Sequence, residues 1–245
     1  LFRSLPSSLS ENSTPSNSAL SPASDVLGGS QLGKLGAVAD LSAGAAKLPK
    51  VKARTWLLAD ATTGEVLAAK NPHKARRPAS TLKTLTALTL LPQLDPDDTW
   101  TGTARAQNTY GSKAGIRKGR EYTIDELFAG LLLPSGNDAA IALAQAHSTV
   151  STTVAEMNQV ARDLQAYNTT AKNPSGLDAK GQFSTAYDLA LIGRAAIARD
   201  DFVTYAGAKN AEFPNPRKPK KNGKERKPIT IYNQNDLVME NYRGA

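Results

Sequence analysis

The chain has 245 residues, enough for one large domain or two small ones, and its hydrophobic content of 40% can build a core. It has no cysteine and only two histidines, His73 and His147, which excludes a cysteine nucleophile and argues against a Ser-His-Asp triad or a histidine-rich metal site. The formal net charge of +8 indicates an anionic environment or partner. No apolar run is long enough to span a membrane and no signal peptide is visible at Leu1, so any such segment is expected outside these residues.

Residues 1–50 are rich in Ser, Ala, Gly, Leu and Pro and poor in aromatic side chains. This composition predicts a flexible linker ahead of a folded domain over residues 51–245. Two interpretations of the linker stay open. It could be a tether that holds a catalytic domain away from a membrane or wall, or a disordered tail without a particular role.

The first folded element predicted is a β-hairpin. Residues 54–60 and 65–70 are short apolar runs, and the Thr-Thr-Gly sequence at 62–64 signals a turn between them. Asn71 and Pro72 end the second strand, and a basic loop follows. Residues 84–91 contain neither Gly nor Pro and predict a helix that begins just after Pro78.

Ser80 and Lys83, at the start of this helix, are the first candidate catalytic pair. Their spacing places an amine one turn above a hydroxyl on the same face. Burial among apolar neighbours such as Leu82 and Leu85 would lower the lysine pKa and leave a neutral amine that accepts the serine proton. The helix N-terminus would supply backbone N–H groups for an oxyanion. A chain of this size contains about one Ser-x-x-Lys by chance, so the pair needs support from elsewhere.

Helices are predicted over much of residues 123–198. Capping boxes at 123–126 and 153–156 mark two helix starts, and residues 185–188 cap another helix. The helix over 127–133 is apolar on most faces and is expected to be buried. Pro134 and Gly136 end it, and an alanine-rich helix begins at Asp138.

Ser135, Gly136 and Asn137 form a tight loop between these two buried helices, and they are the second chemical element. The Ser135 hydroxyl could relay a proton, and the Asn137 amide could bind a peptide carbonyl. A helix-capping turn is the alternative, because Ser10-Glu11-Asn12 has the same pattern in the predicted linker.

Residues 213–228 contain seven Arg or Lys residues around Asn222-Gly223. Asn-Gly is a strong hairpin signal, and residues 229–232 are predicted to be the returning strand. No aromatic side chains alternate with the charges, so a solvated hairpin tip is favoured over a nucleic-acid site.

The order of these elements resembles the penicillin-binding protein and serine β-lactamase superfamily, in which Ser-x-x-Lys and Ser-x-Asn are characteristic motifs. Residues 77–83 (Arg-Pro-Ala-Ser-Thr-Leu-Lys) are similar to the nucleophile segment of the low-molecular-weight D-alanyl-D-alanine carboxypeptidases. Residues 131–140 (Leu-Leu-Leu-Pro-Ser-Gly-Asn-Asp-Ala-Ala) are similar to their second-motif segment nearly letter for letter. Residues 173–177 and 183–190 resemble the segment that follows. The resemblance covers roughly residue 52 to the end.

This resemblance implies an α+β fold of the β-lactamase/DD-peptidase type, with a helical subdomain packed against an antiparallel sheet. It implies a serine carboxypeptidase that removes the terminal D-Ala from peptidoglycan stem peptides and is inhibited by β-lactams. Ser80 would bind the substrate and form the acyl-enzyme, and Lys83 would take its proton. Ser135 would relay that proton to the leaving D-alanine, and Asn137 would hold a peptide carbonyl of the substrate. The location implied is the cell envelope outside the bacterial cytoplasmic membrane. Neither metal, cofactor nor nucleic acid is implied, and a membrane anchor is expected only outside this chain.

The chain departs from the family at the third motif. Lys-Thr-Gly is absent, and the nearest string, Lys83-Thr84-Leu85, lies in the wrong element. In the family this motif lies on a central strand shortly after a segment that resembles residues 232–237. The C-terminal strands are therefore expected to be missing from this chain, and a polypeptide limited to residues 1–245 is expected to be inactive and to fold poorly.

Two other functions compete with the carboxypeptidase. A class A β-lactamase usually has Asp where this chain has Gly136, and it needs a Glu-x-x-Leu-Asn string that is not found after Asn137. A peptidoglycan-binding module without catalysis is opposed by the intact motifs, but the absent third motif keeps it open. A labelled β-lactam separates either enzyme from the binding module, because a pure binding module is not acylated.

Overall fold

The computed structural model describes residues 31–39, 41, 44 and 47–240. The strands of these residues are Ala37–Ala39 (β1), Trp56–Ala59 (β2), Val66–Lys70 (β3), Thr99–Thr101 (β4), Glu121–Thr123 (β5), Asn210–Phe213 (β6) and Ile229–Tyr232 (β7). The helices are Lys83–Leu90 (α1), Ala104–Gln107 (α2), Ile124–Leu132 (α3), Asn137–His147 (α4), Val150–Asp163 (α5), Ala186–Ile197 (α6), Asp200–Gly207 (α7) and Asp236–Met239 (α8). None of these helices is long and apolar enough to cross a bilayer.

The predicted N-terminal hairpin is confirmed. β2 and β3 pair antiparallel, with Trp56 opposite Lys70. Arg194 of α6 holds the turn between them: its Nε donates to the Ala61 carbonyl at 3.0 Å and its Nη2 donates to the Thr62 carbonyl at 2.8 Å. Because α6 packs against β2 and also against α1, it joins the sheet to the helical region. The predicted α+β architecture, with helices packed on an antiparallel sheet, is thus observed.

β1 lies inside the segment predicted to be a linker. Ala37–Ala39 pairs antiparallel with β3 on the edge opposite β2, and Val38 packs beside the buried Val66 and Ala69. The Ala-Val-Ala run has no strand pattern of its own, whereas an unpaired strand edge is a template for any extended segment. Ordered structure therefore begins before residue 51. Residues 1–30 lie outside the described residues, so the linker remains a prediction there.

The helical region is built around α3 and α4, whose apolar faces are buried. Leu127, Phe128 and Leu143 are fully inaccessible to solvent. The predicted capping box at the start of α3 is confirmed: the Thr123 hydroxyl accepts from the Glu126 N–H at 3.1 Å, and the Glu126 carboxylate accepts from the Thr123 N–H at 3.0 Å. This cap sets where α3 begins and hence where the Ser135–Asn137 loop falls.

The second predicted capping box, at 153–156, is wrong. α5 begins at Val150, and its N-cap is Thr149, whose hydroxyl accepts from the Thr152 N–H at 3.0 Å. Thr153 is buried inside the helix and donates to the Ala144 carbonyl at 3.3 Å. Several hydroxyl side chains in this stretch could cap a helix, and the local pattern does not select among them. The burial of Val150 in the core favours the earlier start.

Two small antiparallel sheets, β4–β5 and β6–β7, complete the described structure. β6 and β7 confirm the hairpin predicted around Asn222-Gly223. Phe213 of β6 is fully buried and stacks on Tyr122 of β5 with ring centroids 5.7 Å apart, which ties this hairpin to the body. β4 and α2 lie within residues 91–122, and β5 begins there; the sequence pattern of this stretch is irregular and predicts no element.

Candidate active site

Ser80 lies in a 3₁₀ turn, Ala79–Leu82, that leads directly into α1. Pro78 precedes the turn, and the Thr81 hydroxyl donates to its carbonyl at 2.6 Å. Ala79 has a φ of 50°, a left-handed conformation that costs a residue with a side chain about 1–3 kcal/mol. Ser80 itself is exposed. The turn therefore presents the hydroxyl to solvent at the start of a helix that is otherwise largely buried.

Lys83 lies at the centre of the site. Its Nζ donates to the Ser80 Oγ at 3.0 Å, to the Asn137 Oδ1 at 2.7 Å and to the Ser175 carbonyl at 2.8 Å. The side chain is only 2% exposed. Its neighbours on α1 and in the preceding turn, Leu82 and Leu85, are fully buried, as the sequence predicts. The structure thus brings together three of the four predicted site residues through direct hydrogen bonds.

The protonation of Lys83 follows from this environment. Burial lowers the pKa of Lys83 from its ordinary 10.5 to about 8, and the carboxylate of Asp138 acts in the opposite direction. At pH 7 about a tenth of the molecules then have a neutral amine, compared with about one in 3,000 at an unshifted pKa. Because the folded-state pKa lies below the unfolded-state value, the unfolded chain binds more protons between pH 8 and 10.5, and stability rises with pH across that window.

Ser135, the fourth predicted residue, lies in the turn between α3 and α4 with a φ of 58°. It lines the same cavity as Ser80 and Lys83, with a volume of about 470 Å³. Among the described residues no hydrogen bond to its side chain is found, so its hydroxyl is available to a ligand in the cavity. Gly136 follows, and a Cβ there would lie 2.6 Å from the Gly130 carbonyl oxygen. The aspartate of class A β-lactamases would not fit at this position.

Asn137 is held at both ends of its amide. Its Oδ1 accepts from Lys83, and its Nδ2 donates to the Tyr110 carbonyl at 2.9 Å. Its backbone N–H donates to the Ser112 carbonyl at 2.7 Å. One amide N–H is engaged by Tyr110, and no hydrogen bond is found for the second among the described residues. The loop that follows α2 therefore orients Asn137, a role that the irregular sequence of residues 91–122 does not indicate.

Asp138 was not predicted to contribute to the site, although it follows the motif directly and is fully buried. Its carboxylate accepts four backbone N–H groups at 2.8–2.9 Å, those of Ala114, Gly115, Ile116 and Ala139. A buried carboxylate is expected to be fully hydrogen-bonded in this way. Asp138 thereby fixes the loop that contacts Asn137, and its charge opposes the fall in the Lys83 pKa.

Asn173 shapes the turn that carries the Ser175 carbonyl, which is the third acceptor of the Lys83 amine. Its Oδ1 accepts from the Ser175 N–H at 3.1 Å, from the Ser175 hydroxyl at 2.9 Å and from the Gly176 N–H at 2.9 Å. Its Nδ2 donates to the Leu177 carbonyl at 2.7 Å. These bonds close a turn that directs the Ser175 carbonyl at Lys83. The family resemblance alone singles out this segment in the sequence, and an Asn-Pro-Ser-Gly string gives no other sign of this role.

Gly176 packs against Ala79, the strained residue that precedes Ser80, and Gly176→Ala is expected to be strongly destabilising. Its φ is 82°, and a Cβ would lie 1.9 Å from the Ala79 carbonyl oxygen. The left-handed φ alone costs an alanine about 1–3 kcal/mol, and the clash with a backbone oxygen adds to that cost. The free energy of unfolding, measured in urea, is expected to fall by at least this amount.

Gly193→Ala is the matched control. Gly193 lies inside α6, and a Cβ there meets nothing within 4 Å. The same substitution in the helix interior is expected to stabilise the protein by about 0.5–1 kcal/mol. An unfolding free energy for Gly176→Ala within about 0.5 kcal/mol of the parent would contradict the close approach to Ala79.

The remaining wall of the cavity comes from distant parts of the chain. Phe202 and Ala206 of α7 line it, together with residues 233–235, which follow β7. Asn233 fixes this wall: its Nδ2 donates to the carbonyls of Ala206 and Ala208, both at 2.8 Å. The site is therefore a cleft between the Ser80 turn and the α3–α4 turn on one side and the α7–β7 region on the other.

A Ser-x-x-Lys pair and a Ser-x-Asn turn that meet at one cleft are the arrangement of a serine peptidase of the penicillin-binding type. The family model described as D-alanyl-D-alanine carboxypeptidase, Peptidase_S11, matches residues 42–244. The D-alanyl-D-alanine carboxypeptidase DacB2 of Mycobacterium tuberculosis is 40% identical over 205 residues, which cover 83% of this chain and 67% of that protein. The chain therefore belongs to the D-alanyl-D-alanine carboxypeptidase family, and the resemblance read from the sequence is confirmed.

Solved structures agree with this assignment. A crystal structure of a D-alanyl-D-alanine carboxypeptidase from Mycobacterium tuberculosis superimposes with a TM-score of 0.76 at 39% identity, over 83% of this chain and 74% of that one. A point mutant of the Streptomyces K15 DD-transpeptidase gives a TM-score of 0.73 at 29% identity, over 81% of this chain and 80% of that one. The predicted fold class is confirmed.

The extent of the matches differs among relatives. Escherichia coli DacC is 36% identical over 179 residues, which are 67% of this chain and 44% of that protein. The chain thus spans two thirds of the mycobacterial relative and less than half of the E. coli one. Neither a β-lactamase nor a non-catalytic binding module is favoured by these relatives.

Proposed function

We propose that this chain carries the catalytic machinery of a serine D-alanyl-D-alanine carboxypeptidase that acts on peptidoglycan stem peptides through an acyl-enzyme on Ser80. The observation that carries the proposal is the buried Lys83 amine 3.0 Å from the Ser80 hydroxyl, with its pKa lowered to about 8. A base with a pKa near the working pH is what a serine nucleophile without histidine requires.

The proposed acylation step uses this geometry directly. The neutral Lys83 amine takes the Ser80 proton while Oγ attacks the carbonyl carbon between the last two D-alanines. The C–N bond breaks, an ester forms on Ser80, and the leaving amine receives the proton through the Ser135 hydroxyl. Water then attacks the ester in the reverse sequence and regenerates Ser80 and the shortened peptide.

The turn that holds Ser80 and the turn that leads to Asn137 would orient the substrate. The free amide N–H of Asn137 would donate to a peptide carbonyl of the stem peptide, and the Ser80 backbone N–H would stabilise the oxyanion. A β-lactam would enter the same path, because its strained amide acylates Ser80 and its leaving nitrogen stays tethered. We place this chemistry outside the cytoplasm, in the bacterial cell envelope where stem peptides occur.

The test is D-alanine release from a diacylated Lys-D-Ala-D-Ala peptide by the full-length protein. Release of one D-alanine per peptide, together with a stable penicillin adduct, is the expected result. Rapid β-lactam hydrolysis without D-alanine release would indicate a β-lactamase instead. Peptide binding without acylation would indicate a non-catalytic module.

The rate of Ser80 acylation is expected to rise with pH through a midpoint near 8 and to level off above it. The reason is that only the neutral Lys83 amine accepts the serine proton, and burial lowers the pKa of Lys83 to about 8. The measurement is the second-order rate of penicillin acylation across the pH range. Asn173→Asp is expected to move the midpoint to higher pH, because an added carboxylate beside the Ser175 turn stabilises the ammonium form.

Asn158→Asp is the matched control for this shift. Asn158 makes a comparable set of backbone bonds, to Val154 and Ala171, but none to a residue that contacts Lys83. It should leave the midpoint in place. An unchanged midpoint in Asn173→Asp would contradict the electrostatic coupling between the Ser175 turn and the Lys83 amine.

A further inference from the structure

A cluster of exposed cations lies at residues 214–228, between β6 and β7, and we refer to this segment as the basic hairpin. Its seven cationic residues are Arg217, Lys218, Lys220, Lys221, Lys224, Arg226 and Lys227. All of them are exposed except Arg226, which is half-buried. Its one acidic residue, Glu225, is already paired with Arg120 of the body at 2.8 Å. Within the described residues none of the seven cations forms an ion pair.

The backbone of the basic hairpin is ordered before any partner binds. The Lys220 N–H donates to the Lys224 carbonyl at 2.8 Å, and the Arg226 Nε donates to the Lys218 carbonyl at 2.9 Å, so the two legs are linked. Arg117 of the body donates from Nη1 to the carbonyl of Pro216, in the first leg, at 2.7 Å. The cations are thus carried by a hydrogen-bonded loop, and binding need not order a flexible tail.

The composition of the tip restricts the kind of partner. Apart from its cations and Glu225, residues 214–228 contain only Pro, Asn and Gly. No aromatic ring is available for base stacking and no apolar side chain is available for insertion into hydrocarbon. A single-stranded polyanion is held in a charged groove. These cations instead lie on both legs of an exposed loop. Such an array is complementary to a plane of phosphate groups.

We propose that the basic hairpin binds the phosphate head groups of an anionic bilayer by electrostatic attraction alone. Clusters of four to eight Lys and Arg residues adsorb to anionic bilayers with about 1 kcal/mol per cation. The attraction is long-ranged at low salt and is screened within about 3 Å at 1 M salt. The proposal does not depend on the carboxypeptidase activity, because no residue of the basic hairpin contacts Ser80, Lys83 or Asn137.

The test is co-sedimentation of the protein with vesicles of phosphatidylcholine mixed with phosphatidylglycerol, and with vesicles of phosphatidylcholine alone. Binding is expected only to the anionic vesicles at about 0.1 M salt, and it should be lost at about 1 M. Replacing Lys218, Lys220, Lys221 and Lys224 by glutamine should reduce the partition coefficient by about 100-fold or more. Thermal melting should be unchanged, since these side chains make no contacts with the core.

The control variant replaces Lys34, Lys50, Lys52 and Lys74 by glutamine, which are exposed lysines away from the basic hairpin. It removes the same net charge and should keep its binding. If both variants lose vesicle binding equally, the binding depends on net charge alone, and the assignment of the basic hairpin as the binding site is overturned. Binding to neutral vesicles, or tighter binding to soluble polyphosphate than to vesicles at equal phosphate concentration, would overturn the bilayer as partner.

Discussion

Ser80→Ala is expected to abolish D-alanine release and the penicillin adduct in the full-length protein. The Ser80 Oγ is the hydroxyl bonded to the Lys83 amine, and without it no ester intermediate can form. Loss of the nucleophile in a serine peptidase lowers turnover on the order of 10⁶-fold. The measurements are D-alanine release and intact mass after penicillin treatment. Folding should be preserved, because Ser80 is exposed and its side chain fills no cavity in the core.

Ser135→Ala is the companion variant that separates the two serines of the cleft. Ser135 lines the same cavity, but it is not bonded to Lys83 in the described structure. Its removal should slow acylation while leaving the adduct on Ser80. Peptide mapping that finds the penicillin on Ser135 in the parent protein would reverse the assignment of nucleophile and proton relay.

Lys83→Arg should reduce acylation by about 10²–10⁴-fold, which is the range for loss of a general base. Arginine keeps the positive charge, but its guanidinium does not lose a proton near neutral pH. A lysine that acts only as a cation beside Ser80 would tolerate this change. The measurement is the second-order rate constant of penicillin acylation. A near-normal rate would remove Lys83 from the role of base.

Lys83→Met is a second variant that removes the amine without introducing the larger guanidinium. The site is 2% exposed, so the larger guanidinium can disturb packing. Methionine is an apolar chain of similar length, but it leaves the Asn137 Oδ1 and the Ser175 carbonyl without the Lys83 donor, at a cost of about 1–3 kcal/mol for each buried acceptor, so thermal melting is measured beside the acylation rate. Lys83→Met should be as slow as the arginine variant. Lys74→Arg, an exposed substitution of the same kind, should leave both stability and acylation unchanged.

The features predicted correctly from the sequence are those that neighbouring residues determine. Ser80 and Lys83 are three residues apart, and the 3₁₀ turn that leads into α1 brings their side chains together wherever it lies in the fold. The capping box at Thr123 and Glu126 likewise uses only contacts within one turn. The order and the residues of the motifs then indicated the family, and the family model and the relatives confirm it.

The surroundings that tune Lys83 depend on the tertiary structure alone. Asn137 is 54 residues from Lys83 in sequence and Ser175 is 92 residues away, yet both accept a hydrogen bond from its amine. The local sequence around Lys83 does not predict which backbone carbonyl of a distant turn will accept a hydrogen bond from its amine. The start of α5 and the pairing of β1 were missed for the same reason, since weak local preferences there yield to the burial of Val150 and to the free edge of β3.

The sequence by itself therefore determined the two motifs, their helices and the class of chemistry, because each depends on short-range spacing. The sequence indicated that burial would lower the pKa of Lys83, but only the tertiary structure decided that three acceptors surround the amine and that its pKa falls to about 8. The physical reason is desolvation, which lowers the pKa of Lys83. All the elements packed around Lys83 contribute to it together, so its extent depends on the whole fold and not on one segment.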